Sequence, residues 1–167
     1  MPLEILTIPC LADNYAYIAH DADTGDTLVV DVPEADPIIA ALAQRGWTLS
    51  HIFLTHHHAD HVDGLEPLLK AHPAQVVGAS ADAHRLAALD LAVSEGDTIS
   101  IGGYRGEVLD VSGHTLGHVA LYFPKAQAAF TADSLMAMGC GRLFEGSPQL
   151  MFESLAKLAA LSPQTWV

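Results

Sequence analysis

Seven residues, Thr55-His56-His57-His58-Ala59-Asp60-His61, follow directly on the apolar stretch His51-Ile52-Phe53-Leu54. No other feature constrains the chain as much. A short buried strand must end where several nitrogen and oxygen donors crowd together, a place where backbone is held and side chains are free. In extended backbone, side chains at i and i+2 point the same way, so His56 and His58 can grip one cation. Asp60 and His61 come at the turn into the next helix and can grip another. Imidazole nitrogen and carboxylate oxygen suit zinc, manganese or iron. His57 points opposite to its neighbours and reads as a group that supports the ligands from behind.

Two further segments repeat the pattern of a strand ending in a candidate ligand. In Val111-Ser112-Gly113-His114-Thr115-Leu116-Gly117-His118, the glycines permit a tight loop that presents His114. His118 reads as a hydrogen-bonding or packing residue. In Phe130-Thr131-Ala132-Asp133-Ser134, an apolar strand ends in an aspartate able to bridge two metals. A dinuclear site of this kind lowers the pKa of bound water and polarises a carbonyl, which is hydrolytic chemistry.

Charge narrows the partners. The chain has 7 basic against 20 acidic side chains, a formal net charge of -13. There is no basic stripe for nucleic acid and nothing to attract an anionic membrane surface. An anionic substrate would need local positive charge, from metals or a placed arginine. Met1-Pro2-Leu3-Glu4 lacks a basic start, no uncharged run approaches a membrane span, and Cys10 and Cys140 make no disulfide framework. A cytoplasmic setting is the expectation.

The 167 residues read as one domain, residues 1–167. Short strands are expected over Leu3–Pro9, Tyr15–His20, Thr27–Val32, His51–Thr55 and Gln75–Gly78. Helices are expected over Glu34–Arg45, Val62–His72 and Ala81–Leu89. A β-rich part follows, with strands at Thr98–Ile101, Tyr104–Val111, Val119–Pro124 and Ala128–Ala132. A last helix spans Pro148–Leu161, and Thr165-Trp166-Val167 looks like the start of another strand. Sheets covered by helices on their outer faces make an α/β layered sandwich.

His56-x-His58-x-Asp60-His61, His114 and Asp133, in that order, resemble the metallo-β-lactamase superfamily. The implied fold is an αβ/βα sandwich with metals at one edge between the sheets. Gly139-Cys140-Gly141-Arg142-Leu143-Phe144-Glu145-Gly146 resembles the signature of glyoxalase II, the hydroxyacylglutathione hydrolases. So do Asp13-Asn14-Tyr15 and Met151-Phe152-Glu153-Ser154-Leu155-Ala156-Lys157-Leu158. Asp133 stands in Ala132-Asp133-Ser134-Leu135-Met136, where the family usually has Gly-Asp-Thr-Leu-Phe.

The resemblance implies two divalent metal ions, zinc first, with iron or manganese as alternatives. His56, His58 and His114 would hold one, Asp60 and His61 the other, and Asp133 would bridge. Asp60 and Asp133, with metal-bound hydroxide, would carry the reaction. Arg142 and Phe144 would contact the glutathione moiety, Phe144 standing where the family commonly has Tyr. Cys140, between two glycines, is expected as a small buried turn residue rather than a nucleophile.

The implied reaction is hydrolysis of S-(2-hydroxyacyl)glutathione, typically S-lactoylglutathione to lactate and glutathione. The family continues past the Thr165-Trp166-Val167 strand to a Gly-His-Glu-like turn and a C-terminal helical region. Set against that pattern, the chain is expected to lack the last strand or strands and the helical region. The expectations that follow are a weak second metal site, impaired turnover and self-association through an exposed sheet edge. The alternatives are a mononuclear-iron persulfide dioxygenase of the same superfamily and a non-catalytic metal-binding remnant. A β-lactamase is disfavoured, since those enzymes lack an aspartate in the bridging role of Asp133.

Overall fold

Apolar runs bounded by turn residues become strands, and those with helices on one side and a second sheet on the other are buried on both faces. In the computed structural model, which describes residues 1–167, six strands form the first sheet, the central ones being of this kind. In sheet order they are β1 (Glu4–Cys10), β2 (Asn14–His20), β3 (Thr27–Val30), β4 (His51–Leu54), β5 (Gln75–Ala79) and β6 (Leu91–Val93). The first three are antiparallel, and β3 to β6 run parallel. The second sheet is antiparallel throughout. Its strands are β7 (Thr98–Ile101), β8 (Tyr104–Asp110), β9 (Val119–Phe123) and β10 (Ala128–Phe130), in the spatial order β10-β9-β8-β7.

The period of two along each strand sorts side chains between two cores. Leu28, Val30, Phe53 and Val77 face the second sheet and meet Val108, Leu121, Phe123 and Phe130. Val29, Ile52 and Leu54 face the other way, onto helices α1 (Ala35–Arg45) and α3 (Leu65–Ala71) through Ile38, Leu42, Leu65 and Leu68. Helix α4 (Pro148–Ala159) covers the outer face of the second sheet, where Leu158 packs on Val111 and Ala120. Four layers result, helix–sheet–sheet–helix, the αβ/βα sandwich anticipated above. Phe53 is fully buried at its centre, and truncating it to Ala would cost about 3–5 kcal/mol.

The helices start and stop where their residues require it. Gly46 closes α1 at φ 65°, its N–H reaching the carbonyls of Ala43 and Leu42, a conformation that needs no Cβ. Ser147 caps α4 by accepting from the Leu150 amide, with Pro148 at the first turn.

Four elements differ from the sequence expectation. The helix expected over Val62–His72 is two pieces, α2 (Ala59–Val62) and α3, parted at Gly64. A Cβ on Gly64 would lie 2.8 Å from the Ala35 backbone nitrogen, so the start of α1 presses against the break. The helix expected over Ala81–Leu89 is a single 3-10 turn, Ser80–Asp82, followed by turns. There the Asp82 side chain is buried rather than solvated, which pulls the segment inward after one turn. Strand β6 follows and was not foreseen, being short and two-thirds exposed. Near the other end, Trp166 makes one parallel bridge to Ala128 of β10 rather than a full strand.

Candidate metal centre

Parallel strands end together, and their carboxyl ends form the natural site edge of such a sheet. Asp31 follows β3, Thr55 to His61 follow β4, and Asp82 follows β5. The second sheet adds His114 from the β8–β9 connection and Asp133 from the turn after β10. The Val119 amide donates to the Thr55 carbonyl at 2.9 Å, which pins the two sheets to each other at this edge.

His56, His58 and His114 bring one nitrogen each into a compact group. His58 Nδ1 lies 3.2 Å from His56 Nε2 and 3.0 Å from His114 Nε2. Their partners fix the tautomers. His114 Nδ1 donates to the Arg142 carbonyl oxygen at 2.6 Å. His56 Nδ1 lies 3.0 Å from Thr55 Oγ1, whose own proton goes to Asp31 Oδ2 at 2.7 Å. Nε2 of both His56 and His114 is therefore a bare lone pair aimed at the same point. Burial, reinforced by His118 and the other imidazoles, holds His56 far below the ordinary histidine pKa. Three imidazole nitrogens converging at such separations can share one cation, and their spacing is near that of the edges of a tetrahedral site.

His56, His61 and Asp133 form a second group. Asp133 faces both groups, with Oδ1 3.4 Å from His61 Nε2 and Oδ2 3.1 Å from His114 Nε2. His61 Nδ1 donates to the buried Asp31 at 2.7 Å, leaving Nε2 for the site. Burial disfavours the charged form of His61, but Asp31 and then Asp133 outweigh it and hold its pKa up at about 10. For Asp133 the balance is similar: burial pushes the carboxyl up, and His61 pulls it below its ordinary range. The donor set thus has two overlapping groups, three imidazoles in one and two imidazoles with the Asp133 carboxylate in the other, with His56 common to both and Asp133 facing both. These residues fit a pair of divalent cations.

The remaining predicted residues take distinct places. Asp60 belongs to neither compact group: Oδ2 is 3.8 Å from His61 Nε2, its side chain is half exposed, and Asn14 Nδ2 donates to it at 3.0 Å. His57 turns away from the site and hydrogen-bonds Asp82 at 2.9 Å. His118 is fully buried with its ring stacked 4.5 Å from that of His56, and neither of its nitrogens has a partner. Packing is its visible role. Cys140 is exposed, which corrects the expectation of a buried turn residue.

Arg142 and Phe144 line an open cleft of about 350 Å³ together with His58, Asp60, His114 and Asp133. The Phe144 ring meets His58 and His114 edge-on, and the Arg142 guanidinium lies 5.0 Å from its centroid. Their segment is stitched to the ligand loops. The Gly141 amide donates to the Asp133 carbonyl at 2.6 Å and the Phe144 amide to the His114 carbonyl at 3.2 Å.

Sequence reasoning missed Asp31, Asn14, Asp82, Arg85 and Glu145. Asp31 was within reach: Thr27-Leu28-Val29-Val30-Asp31 is an apolar strand ending in an aspartate, the pattern that singled out Asp133. Its φ of 57° and its three hydrogen bonds, from the Thr55 amide, Thr55 Oγ1 and His61, mark a residue held for a purpose.

A family model described as the metallo-beta-lactamase superfamily matches residues 14–165. The chain belongs to that superfamily. A hydroxyacylglutathione hydrolase from Ruegeria pomeroyi is 63% identical over 167 residues, covering 100% of this chain and 66% of that protein. One from Cereibacter sphaeroides is 60% identical with the same coverage. The chain thus spans just under two thirds of the length of these relatives. The solved structure of the B3 metallo-β-lactamase BLEG-1 superposes with a TM-score of 0.88 over 97% of this chain and 88% of its own, at 22% identity. That likeness bears on the fold alone. No helix is long and apolar enough to cross a membrane.

Proposed function

We propose that this chain carries the metal-hydrolase part of a hydroxyacylglutathione hydrolase, a thioesterase acting on S-(2-hydroxyacyl)glutathione. One observation carries the reading: Arg142 and Phe144 wall the same cleft as His58, His114 and Asp133, and their segment hydrogen-bonds His114 directly. The names of the relatives at 60% and 63% identity support the same reading.

In this reading His56, His58 and His114 hold the first cation, Asp60 and His61 serve the second, and Asp133 bridges. Zinc is the favoured metal, with iron or manganese compatible with the donors. Two bound divalent cations would supply Lewis acidity and a water of lowered pKa. The chain's own residues do the rest. Asp31 and Thr55 orient His61 and His56, and Asn14 holds Asp60 at the rim of the cleft. Arg142 offers a charge-assisted clamp for a glutathione carboxylate. Phe144 presents an apolar face beside it. A thiolate leaves without protonation, so no general acid is needed in the cleft. Against a net charge of -13, Arg142 supplies the local positive charge an anionic thioester requires. A cytoplasmic setting belongs to this reading; both cysteines are free.

The persulfide dioxygenase alternative needs one iron on two histidines and a carboxylate. The three-histidine group with a bridging carboxylate beside it favours the two-metal hydrolase. The test is hydrolysis of S-lactoylglutathione by the zinc-loaded chain, with chelated protein as the control. Oxygen consumption with glutathione persulfide and no thioester hydrolysis would reverse the assignment.

A further inference from the structure

Behind the ligand loop lies an ionic network that the metal chemistry does not use. Asp82, fully buried, accepts from His57 Nδ1 at 2.9 Å and from Arg85 Nε at 3.1 Å. Arg85 then forks onto Glu145, through Nη1 to Oε1 and through Nη2 to Oε2 at 3.2 Å. Glu145 Oε2 also accepts the Leu116 amide at 2.8 Å. Every link touches a different loop. His57 sits in the ligand loop, Leu116 follows His114, and Glu145 follows Phe144.

Exposed ion pairs contribute little, because water screens them and long side chains lose entropy. This one is different in kind. The Arg–carboxylate contact is forked, which fixes direction as well as distance. The Glu145 and Arg85 side chains are only 25% and 29% exposed. The Asp82 carboxylate has no access to water, so losing Arg85 would leave a buried charge with His57 alone. The loop after His114 is fitted closely around it: a Cβ on Gly117 would fall 2.1 Å from Asp82 Oδ1.

We infer that Glu145, through Arg85 and Asp82, is a positioning residue for substrate recognition. It locks the Arg142–Phe144 segment at a set height over the metal groups, so that the glutathione moiety is read in register with the reacting thioester. The inference rests on the functional reading above. It goes further in naming a residue that touches neither substrate nor metal, and in assigning its effect to the glutathione end of the substrate.

The test compares zinc-loaded wild type with Glu145→Gln, Arg85→Met, the double variant and Arg85→Lys. Two thioesters are used: S-lactoylglutathione and the lactoyl thioester of N-acetylcysteamine, which lacks the glutathione peptide. Amide hydrogen exchange at Leu116 and Phe144 is followed with and without zinc. KM for S-lactoylglutathione should rise about tenfold in Glu145→Gln and Arg85→Met, with kcat within about twofold, the mark of lost binding rather than lost chemistry. KM for the small thioester should not move. The double variant should be no worse than either single one, as for two members of one unit. Arg85→Lys keeps the charge, should fold, and should fall between wild type and Arg85→Met.

Exchange at both amides should quicken about tenfold in Glu145→Gln and Arg85→Met, with or without zinc. Equal losses on both thioesters, or lowered stability with unchanged KM and unchanged exchange, would overturn the inference. If wild type hydrolyses neither thioester, the functional reading fails, and the exchange result then decides the locking role by itself.

Discussion

His114 Nδ1 donates its proton to the Arg142 carbonyl oxygen at 2.6 Å, so a residue of the candidate substrate-contact segment sets the tautomer of a candidate metal ligand. A carbonyl can only accept, which forces the His114 lone pair onto Nε2 and toward His58. The candidate substrate wall and the candidate metal site are therefore joined by hydrogen bonds. Gly141 is packed tightly between the two.

A Cβ on Gly141 would lie 2.7 Å from both His114 Nδ1 and the Asp133 carbonyl oxygen. Gly141→Ala should therefore displace the ligand and the bridge together. Loss of a ligand's supporting contact typically costs about 10–100-fold in metal affinity. A zinc competition titration against a chromophoric chelator should show a loss in that range. Affinity within twofold of wild type would mean that the segment can shift without carrying His114.

Asp31 accepts from the Thr55 amide, Thr55 Oγ1 and His61 Nδ1 while buried at 2% exposure. Asp31→Ala strands three donors and should cost about 3–5 kcal/mol, as removal of one partner from a buried network does. Urea unfolding of metal-free protein reads this directly. A loss under 1 kcal/mol would show that water replaces the carboxylate.

Both His118 nitrogens are buried without partners, and burial, then His114, lowers its pKa to about 3. It packs as a neutral ring on His56. His118→Phe should be tolerated, with stability unchanged or raised by about 1 kcal/mol, because no hydrogen bond is lost and buried polar atoms are removed. Zinc affinity should stay within a few-fold. A large drop in either would reveal a polar partner for this ring.

Arg85, more than any other group, pulls the Glu145 carboxyl from 4.5 down to about 2. A depressed folded-state pKa stabilises the fold fully above the unfolded value of 4.5, and that stability is lost as pH falls toward 2. The metal-free chain should therefore lose stability across this window. Glu145→Gln should flatten part of that slope. Parallel melting curves from pH 5 to pH 2.5 for both proteins would contradict the assignment.

The two metal groups differ in what they commit. The first has three buried or half-buried imidazoles, while Asp60 stands outside the second, tied to Asn14. Zinc titration of this chain should show one tight equivalent and one weaker by about tenfold or more. Exposed Met138, Phe144, Phe152 and Trp166 offer apolar surface, and size-exclusion chromatography at rising concentration should show self-association. A monomer at all concentrations would remove that expectation.

What could be read from the chain itself was local. His56, His58, Asp60 and His61 lie within six residues, and His114 and Asp133 each close an apolar strand, so neighbouring residues carried the pattern. Strand alternation likewise gave the layers, since burial on a pleated sheet follows a period of two. The tertiary structure decided the rest. Asp31 reaches His61 across 30 positions, Arg85 reaches Glu145 across 60, and His114 meets the Arg142 carbonyl across 28. It also drew Asp82 inward, where a sequence pattern reads a helix. These contacts join strand ends brought together by packing. A buried charge or a ligand's second nitrogen takes whatever partner the fold places beside it, and no local spacing encodes that choice.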